Sequence, residues 1–484
     1  MMGRDKPPQP SLFYRFNLEQ RVPADHALRK VAGLVDFEFI YEQVEDLYGG
    51  VGNPSVPPPV VLKLMFLLAW ENVPSERALF ATLPMRLDWL WFLGMDLDSE
   101  IPHHSVLSKA RSRWGAGAFR SFFERIVEQA QSTGLVDGRR IFCDGSLFDA
   151  NASRKSVETV QVVDLSGLSD ELERRLDGDD QSSQVCELRV RTVRRSTTDP
   201  DAAVVTKPGA GTPRPRYKSH RAIDDRYGVI TASTVTPGDG DEGKHFGSLV
   251  DQHEVNTQTH VEVACADAQY GTTENYLLCL DRGIKPRMPA LAERQKPHRD
   301  SQGLFSRKDF VYDEQTDTYR CPAGQQLDRL QVRTDMVDGI RYQASTNACR
   351  TCALRAECTR GQRRSLTRHS RQDDLDRIIA NLKTDPARRD LRRRKHLMER
   401  SFATAVRHGF KRCRWRRLQG AETHELLVAT AQNIATLIRH ASRTLPRAAE
   451  AAFRQVTAFV TTRASELADL LHQSISPIRR ARRA

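Results

Sequence analysis

The chain has 484 residues, with 74 Lys plus Arg against 62 Asp plus Glu for a formal charge of +12, and it is 39% hydrophobic and 7% aromatic. Such a length exceeds one compact core and implies roughly two to four domains of a soluble globular protein. The longest apolar run, Val60 to Trp70, is broken by Lys63 and falls short of the roughly 20 residues of a membrane span, and nine Cys are too sparse for a secreted disulfide scaffold. The polar, proline-rich start MMGRDKPPQP is no secretory signal, so the expected compartment is the cytosol.

Residues 1–135 are predicted to be helical. Val60–Trp70, Glu76–Leu83 and Val106–Trp114 carry apolar residues at helical spacing, with Ser75 and Ser105 as N-caps and Gly115 and Gly134 as stops. Short helices with tight turns fit a DNA-binding helix-turn-helix and, equally, any small helical bundle. At Arg140 the pattern changes to a short strand that ends in Asp144 and a turn. Residues 150–216 are polar, acidic in the middle and rich in Ser, Asp, Pro and Gly, which predicts a mobile insertion. A strand pair follows, Lys218–Asp225 and Val229–Val235, turning at Arg226-Tyr-Gly228. Then come a helix around Lys244–Asn256, a strand Val261–Asp267, a helix Thr273–Arg282 stopped by Gly283, and a short edge strand Ile284–Pro289.

The closing helix is well punctuated, with Asp385 as N-cap, Pro386 as first helical residue and Gly409 past its end. Residues 423–440 and 446–472 read as further amphipathic helices, and Arg479–Arg483 as a basic tail. The expected units are a helical region 1–135, a catalytic domain 136–290 with its insertion, a Cys-rich module 291–384, the end of the catalytic domain 385–445, and a C-terminal helix with basic tail 446–484.

From Arg392 to Arg417 there are eleven Lys or Arg and one acid, Glu399. A solvated helix face interleaves both signs, whereas so one-sided a run repels itself and is relieved by a polyanion. Nucleic acid is the first partner this suggests; an acidic protein or membrane surface is the alternative. The strand and helix order is that of an α/β RNase H-like mixed sheet with flanking helices, preceded by an all-α region and interrupted by a small Cys-rich insertion. Such a fold sets Asp144 on the central strand, Asp267 at the end of its neighbour and Glu399 on the closing helix. Three converging acids repel one another or bind cations, and hard oxygen ligands suit Mg²⁺ or Mn²⁺. Two such ions about 3.5–4 Å apart would serve an in-line phosphoryl displacement, the chemistry of phosphodiester cleavage and strand transfer.

These residues resemble a bacterial insertion-sequence transposase of the DDE class, with a helical domain before the catalytic one. The matching segments are Cys143-Asp144-Gly145-Ser146, Tyr217-Lys-Ser-His220, Ser233-Thr-Val-Thr-Pro237, Ala266-Asp267-Ala-Gln-Tyr270, Glu399-Arg400-Ser-Phe402 and Arg417-Leu-Gln-Gly420. The resemblance runs from about residue 12 to 440. It implies that Asp144, Asp267 and Glu399 are the metal-binding catalytic triad. The implied partner is double-stranded DNA, at the terminal inverted repeats of a mobile element and at a target, bound by a homodimer or higher oligomer in the bacterial cytoplasm and nucleoid. Where many relatives carry Lys-Gly after the second Asp, this chain has Ala268-Gln269, and Arg392, Lys395 and Val406 stand where some carry Tyr, Arg and Lys around the Glu.

Cys321, then Cys349-x2-Cys352-x5-Cys358, supply four thiols in 38 residues, a ligand set for a structural Zn²⁺. Reduced thiols without metal and an iron–sulfur cluster are the alternatives. Phosphate contacts are expected from Lys218, His220, Arg393, Arg394, Lys395, Arg400, Lys411, Arg412 and Arg414; such contacts set affinity and register without reading bases. Trp415 is expected in the core, and His103 and His104 at a helix cap. Beside the transposase reading stand an RNase H-like nuclease that does not join strands and a non-catalytic DNA-binding regulator.

Overall fold

The computed structural model describes residues 16–50, 52–164, 189–207, 209, 211–291, 304–330 and 338–440. Cys186, expected as an ordinary thiol, the helix expected over 446–472 and the basic tail lie outside the described residues.

The N-terminal region holds α1 (Leu18–Arg21), α2 (Ala27–Leu34), α3 (Ile40–Val44), α4 (Pro58–Trp70), α5 (Glu76–Thr82), α6 (Leu87–Leu93), α7 (Ser105–Trp114) and α8 (Gly117–Ser132). α4 is apolar almost all round and buries ten of its 13 residues, as a helix without a polar face must. Lys63, its single charge, is half-buried and lays its ammonium over the rings of Phe37 and Phe92 at 5.6 and 5.5 Å. Ser75 caps α5 by accepting from the Ala78 amide at 3.2 Å. Ser105 is the first residue of α7 rather than its cap, and the His103 Nδ1 accepts its amide at 3.3 Å. Gly115 and Gly134, at φ +64 and +74, end α7 and α8 in the left-handed region that a side chain resists.

The main sheet comprises β1 (Arg140–Asp149), β2 (Val157–Asp164), β3 (Arg189–Ser196), β4 (Ala203–Val205), β5 (Arg214–Asp224), β6 (Ile230–Pro237), β7 (Val263–Cys265) and β8 (Lys285–Arg287). Helix α9 (Phe246–Thr257) connects β6 to β7, and α10 (Thr273–Asp281) connects β7 to β8. The order is β2-β3-β4-β5-β1-β7-β8, with β6 also on β5. β1 is antiparallel to β5 and parallel to β7, which is parallel to β8. The helical crossovers are what the parallel pairs require. Where a mobile insertion was expected over 150–216, the described residues include β2, β3, β4 and the start of β5. β2 and β3 pair over eight positions, and β4 hydrogen-bonds to the first residues of β5.

A second, antiparallel sheet is ordered β13-β12-β11-β10-β9, from β9 (Val311–Asp313), β10 (Thr318–Arg320), β11 (Gln326–Leu330), β12 (Gly339–Ala344) and β13 (Ser365–His369). It also carries α11 (Thr346–Arg350) and α12 (Arg355–Cys358). The chain returns through α13 (Gln372–Leu382), α14 (Asp385–Arg407) and a helix over 417–440, α15. Thr384 is the N-cap of α14, one residue before the expected Asp385. Leu397 and Met398 of α14 and Leu426 and Leu427 of α15 share one core with the N-terminal helices and with Phe142, Ile223 and Cys265 of the sheet. Beyond α14 the chain clasps the end of β1: the Asp149 amide donates to the Lys411 carbonyl at 3.0 Å, and the Cys413 amide to the Asp149 carbonyl at 2.8 Å.

His253 of α9 is buried between Gly138, whose carbonyl accepts from Nε2 at 2.8 Å, and the Thr231 hydroxyl, 2.6 Å from Nδ1. Burial pushes it down from 6.5 to about 4, against opposing contributions from the Gly138 hydrogen bond and Glu254. Between those two values the unfolded chain binds a proton that the native state refuses, so stability falls as pH drops from 6.5 toward 4 and this loss stops there. The full window is worth about 3 kcal/mol. Urea midpoints measured at pH 7 and 4.5 should show a smaller acid loss in His253→Gln than in the unsubstituted protein; equal losses would remove His253 from the acid response.

Candidate active site

Asp144 lies in mid β1, with Arg221 of β5 as its register partner. Asp267 follows β7 and caps the turn Ala268–Tyr270, accepting from the Gln269 amide at 2.9 Å. Parallel pairing of β1 with β7 brings these two acids, 123 positions apart, to one end of the sheet. The third carboxylate there is Glu242, just beyond β6. One oxygen each from Asp144, Glu242 and Asp267 lies within 4.8 Å of the others. Gly145 makes room for it, since a Cβ at that position would stand 3.0 Å from Glu242 Cδ.

Two cations face the acids. Arg394 of α14 meets Asp144 Oδ2 at 2.8 Å. Lys218 of β5 stands 3.2 Å from Glu242 Oε1 and donates to the Gly240 carbonyl at 2.8 Å. Three carboxylates against two cations leave one formal negative charge in excess. Burial raises Asp144 to about 6; Arg394 opposes the rise, and Asp267 and Glu242 add to it. Glu242 is likewise raised, by burial first, with Lys218 opposing and Asp267 adding. Carboxylates held above their usual range by burial and by one another are poised for a proton or a metal ion. The fully buried Tyr270 adds a second sign: its hydroxyl lies in the field of Glu242, Asp144 and Asp267 and lacks a hydrogen-bond partner. An all-oxygen set with an orphaned hydroxyl beside it fits a hard divalent cation and its water.

Glu399 does not join this cluster. It is 68% exposed, with Lys395 as an ion-pair partner at 3.9 Å. Five residues beyond Arg394, it stands roughly 140° round and about 7.5 Å along the helix. Because Arg394 faces Asp144, Glu399 faces solvent. Glu242 takes the third place assigned to Glu399 from sequence. The one sign of it was an acid-rich turn after the third strand, where Asp239 and Asp241 compete with it.

A family model described as "Transposase domain (DUF772)" matches residues 16–113, and one described as "Transposase DDE domain" matches residues 320–438. The chain is an insertion-sequence transposase of the DDE class. The first match covers α1 to most of α7. The second spans most of the small sheet and α13 to α15, so it contains Glu399 but not Asp144, Glu242 or Asp267. No curated protein matches the transposase.

As a DNA-processing enzyme, the transposase needs cationic surface, and the residues expected to supply it divide sharply. Lys395, Arg400, Lys411 and Arg412 are exposed. Arg393 is half exposed and paired with Asp225. Arg394 and Lys218 are committed to the acid cluster. His220 is a correction: it is fully buried, 2.9 Å from the Thr236 hydroxyl, and burial pushes it down to about 3, so it reaches no phosphate. Apart from the exposed Arg214 and the half-buried Lys218, β5 is buried along its length. Arg414 is a second correction. It donates to the carbonyls of Leu68 and Val73 at 2.7 and 2.8 Å, closing the end of α4. Trp415 is buried as expected, its Nε1 donating to Glu76 at 2.9 Å. Among the described residues no helix is long and apolar enough to cross a membrane.

Proposed function

We propose that the transposase cleaves DNA at the terminal inverted repeats of its element and joins the freed ends to a target, by metal-dependent phosphoryl transfer on an RNase H-like sheet. The observation that carries this is the convergence of Asp144, Glu242 and Asp267 beside a family-matched helix, α14. The order β6-β5-β1-β7-β8, antiparallel then parallel, supports the RNase H-like reading. A bound Mg²⁺ or Mn²⁺ supplies Lewis-acid stabilisation of the charge that builds on the phosphate oxygens. The three carboxylates would hold it, with Arg394 and Lys218 fixing their orientation. Water or a 3′-hydroxyl of the DNA is the nucleophile, so the protein contributes position and field.

A second reading keeps Glu399 as the third acid. It is supported by its place within the family-matched segment and as the lone acid of the basic run. For both to hold, α14 must shift when DNA is bound, releasing Arg394 from Asp144 and turning Glu399 inward.

DNA phosphates would follow the exposed cations of α14 and Lys411 into a groove lined by Arg154, Lys155, Arg194, Arg214 and Arg412. That groove starts at Asp149, about 17 Å along β1 from Asp144 at 3.3 Å per residue, or about five base pairs of duplex. Binding should weaken steeply with salt. Two element ends call for at least two subunits. The test is incubation with Mg²⁺ and a labelled duplex taken from the flank of the gene. Nicked and joined products are expected; nicks without joining would mean a nuclease, and neither product a regulator.

A further inference from the structure

The small sheet poses a separate problem of stability. Its strands have three to six residues, and among the described residues its buried cluster is Phe310, Tyr319, Leu327, Tyr342, Ala344 and Leu366. So small a core seldom holds a fold without a staple. Cys321 in the turn after β10, Cys349 in α11, Cys352 just beyond it and Cys358 at the end of α12 line one cavity of about 20 Å³ closed by Leu327 and Ala344. That is room for one water-sized body. All four are free thiols.

The backbone around them is arranged for sulfur ligands. The turn Cys321-Pro-Ala-Gly-Gln325 closes on itself: the Cys321 amide donates to the Gln325 carbonyl and the Gly324 amide to the Cys321 carbonyl, both at 2.8 Å. Gly324 sits at φ +77. This aims the Gln325 amide at Cys321 Sγ, 3.2 Å away. Cys349 and Cys352 share one turn, the Cys352 amide reaching the Cys349 carbonyl. Arg364 ties the Cys358 carbonyl to that of Phe305, at 2.9 Å each, and lines the same cavity with Arg355. Two cations thus stand beside the four sulfurs.

We propose that these four cysteines together hold one structural zinc ion, which fixes the inserted sheet as a rigid unit between Asp267 and α14. Tetrahedral thiolate coordination at about 2.3 Å brings sulfurs to roughly 3.8 Å from one another. Among the described residues the carboxylate cluster is the set with three ligand atoms all within 4.8 Å, so the thiol loops contract when the ion enters. β13 leads directly into α13, whose Leu375 and Ile378 pack in the core of α9, α10 and β7. Zinc in this module therefore steadies the base from which α14 extends.

The test measures zinc in the purified full-length protein after dialysis against metal-free buffer. About one zinc per chain is expected, falling at least tenfold in Cys349→Ser and Cys352→Ser and unchanged in Cys279→Ser, a buried thiol elsewhere. Absence of zinc, its persistence in both module variants, or iron with visible colour in its place would each overturn the proposal. Should the variants fail to fold, cobalt substitution of the unaltered protein decides. Thiolate-to-cobalt charge transfer with intense tetrahedral bands supports the site, and the weak spectrum of an all-oxygen cobalt site overturns it. Because oxygen and sulfur sites differ in that spectrum, failure of the carboxylate centre and failure of the thiol site are read separately.

Discussion

Asp144→Asn and Asp267→Asn should each slow DNA strand cleavage by on the order of 10³-fold, about 4 kcal/mol of barrier, while leaving the fold and DNA binding in place. Asn keeps the shape and removes the charge that a divalent cation needs. Stability should not suffer at position 144, because burial already holds that carboxyl up at about 6, and a neutral amide can still accept from Arg394. Glu242→Gln should weaken Mn²⁺ binding to the free protein about tenfold or more, since Glu242 is the third oxygen donor in the arrangement described. Glu399→Gln should bind Mn²⁺ normally without DNA and lose cleavage once DNA is present, if α14 delivers it then. Cleavage by Glu399→Gln at the unsubstituted rate would exclude that residue from the reaction. Normal Mn²⁺ affinity in Glu242→Gln would mean that the cluster is not the metal site.

Much of this arrangement was legible in the sequence, for reasons that differ by element. The pair β5 and β6 was readable because a Gly-containing turn separates two runs of strand formers. Asp144 and Asp267 stood out because each follows an apolar run, although β1 continues past Asp144 to Asp149 rather than ending there as expected. β2 and β3 were not readable: Glu158, Thr159, Arg194 and Arg195 are exposed, so the arm lacks the apolar alternation that marks a half-buried strand. Glu399 was chosen as the sole acid in a basic run, but composition does not fix helical phase. Arg394 set that phase by pairing with Asp144, 250 positions away. His220 and Arg414 were taken for phosphate contacts for a similar reason, since local sequence cannot tell a cation facing solvent from one facing a distant carbonyl. Their partners, Thr236 and the end of α4, belong to tertiary packing.

Replacing Glu425 should cost more stability than any surface change, and the reason lies in what it neutralises. Arg221 is fully buried and Glu425 is 1% exposed. Glu425 Oε1 accepts from Arg221 Nε at 2.5 Å and from the hydroxyls of Ser219 and Ser233 at 2.9 Å each, while Oε2 accepts from Arg221 Nη2 at 2.9 Å. Arg221 Nη1 donates to Gln432 at 2.9 Å and Ser401 at 3.3 Å, and the guanidinium lies against the rings of Phe402 and Phe410. The node thus joins β5, β6, α14 and α15 through one charge pair. Glu425→Leu strands a dry guanidinium, which should cost about 3–5 kcal/mol, whereas Arg221→Met with Glu425→Leu removes both charges and should recover much of it. Denaturation of the two single variants and the double variant isolates the coupling. Additive losses would show that the pair does not act as a unit. Arg221 is also the register partner of Asp144, and Ser401 lies on the helix that carries Arg394 and Glu399. A loosened node should therefore reach the acid cluster, and the single variants should lose cleavage below their unfolding temperature, while the double variant regains it.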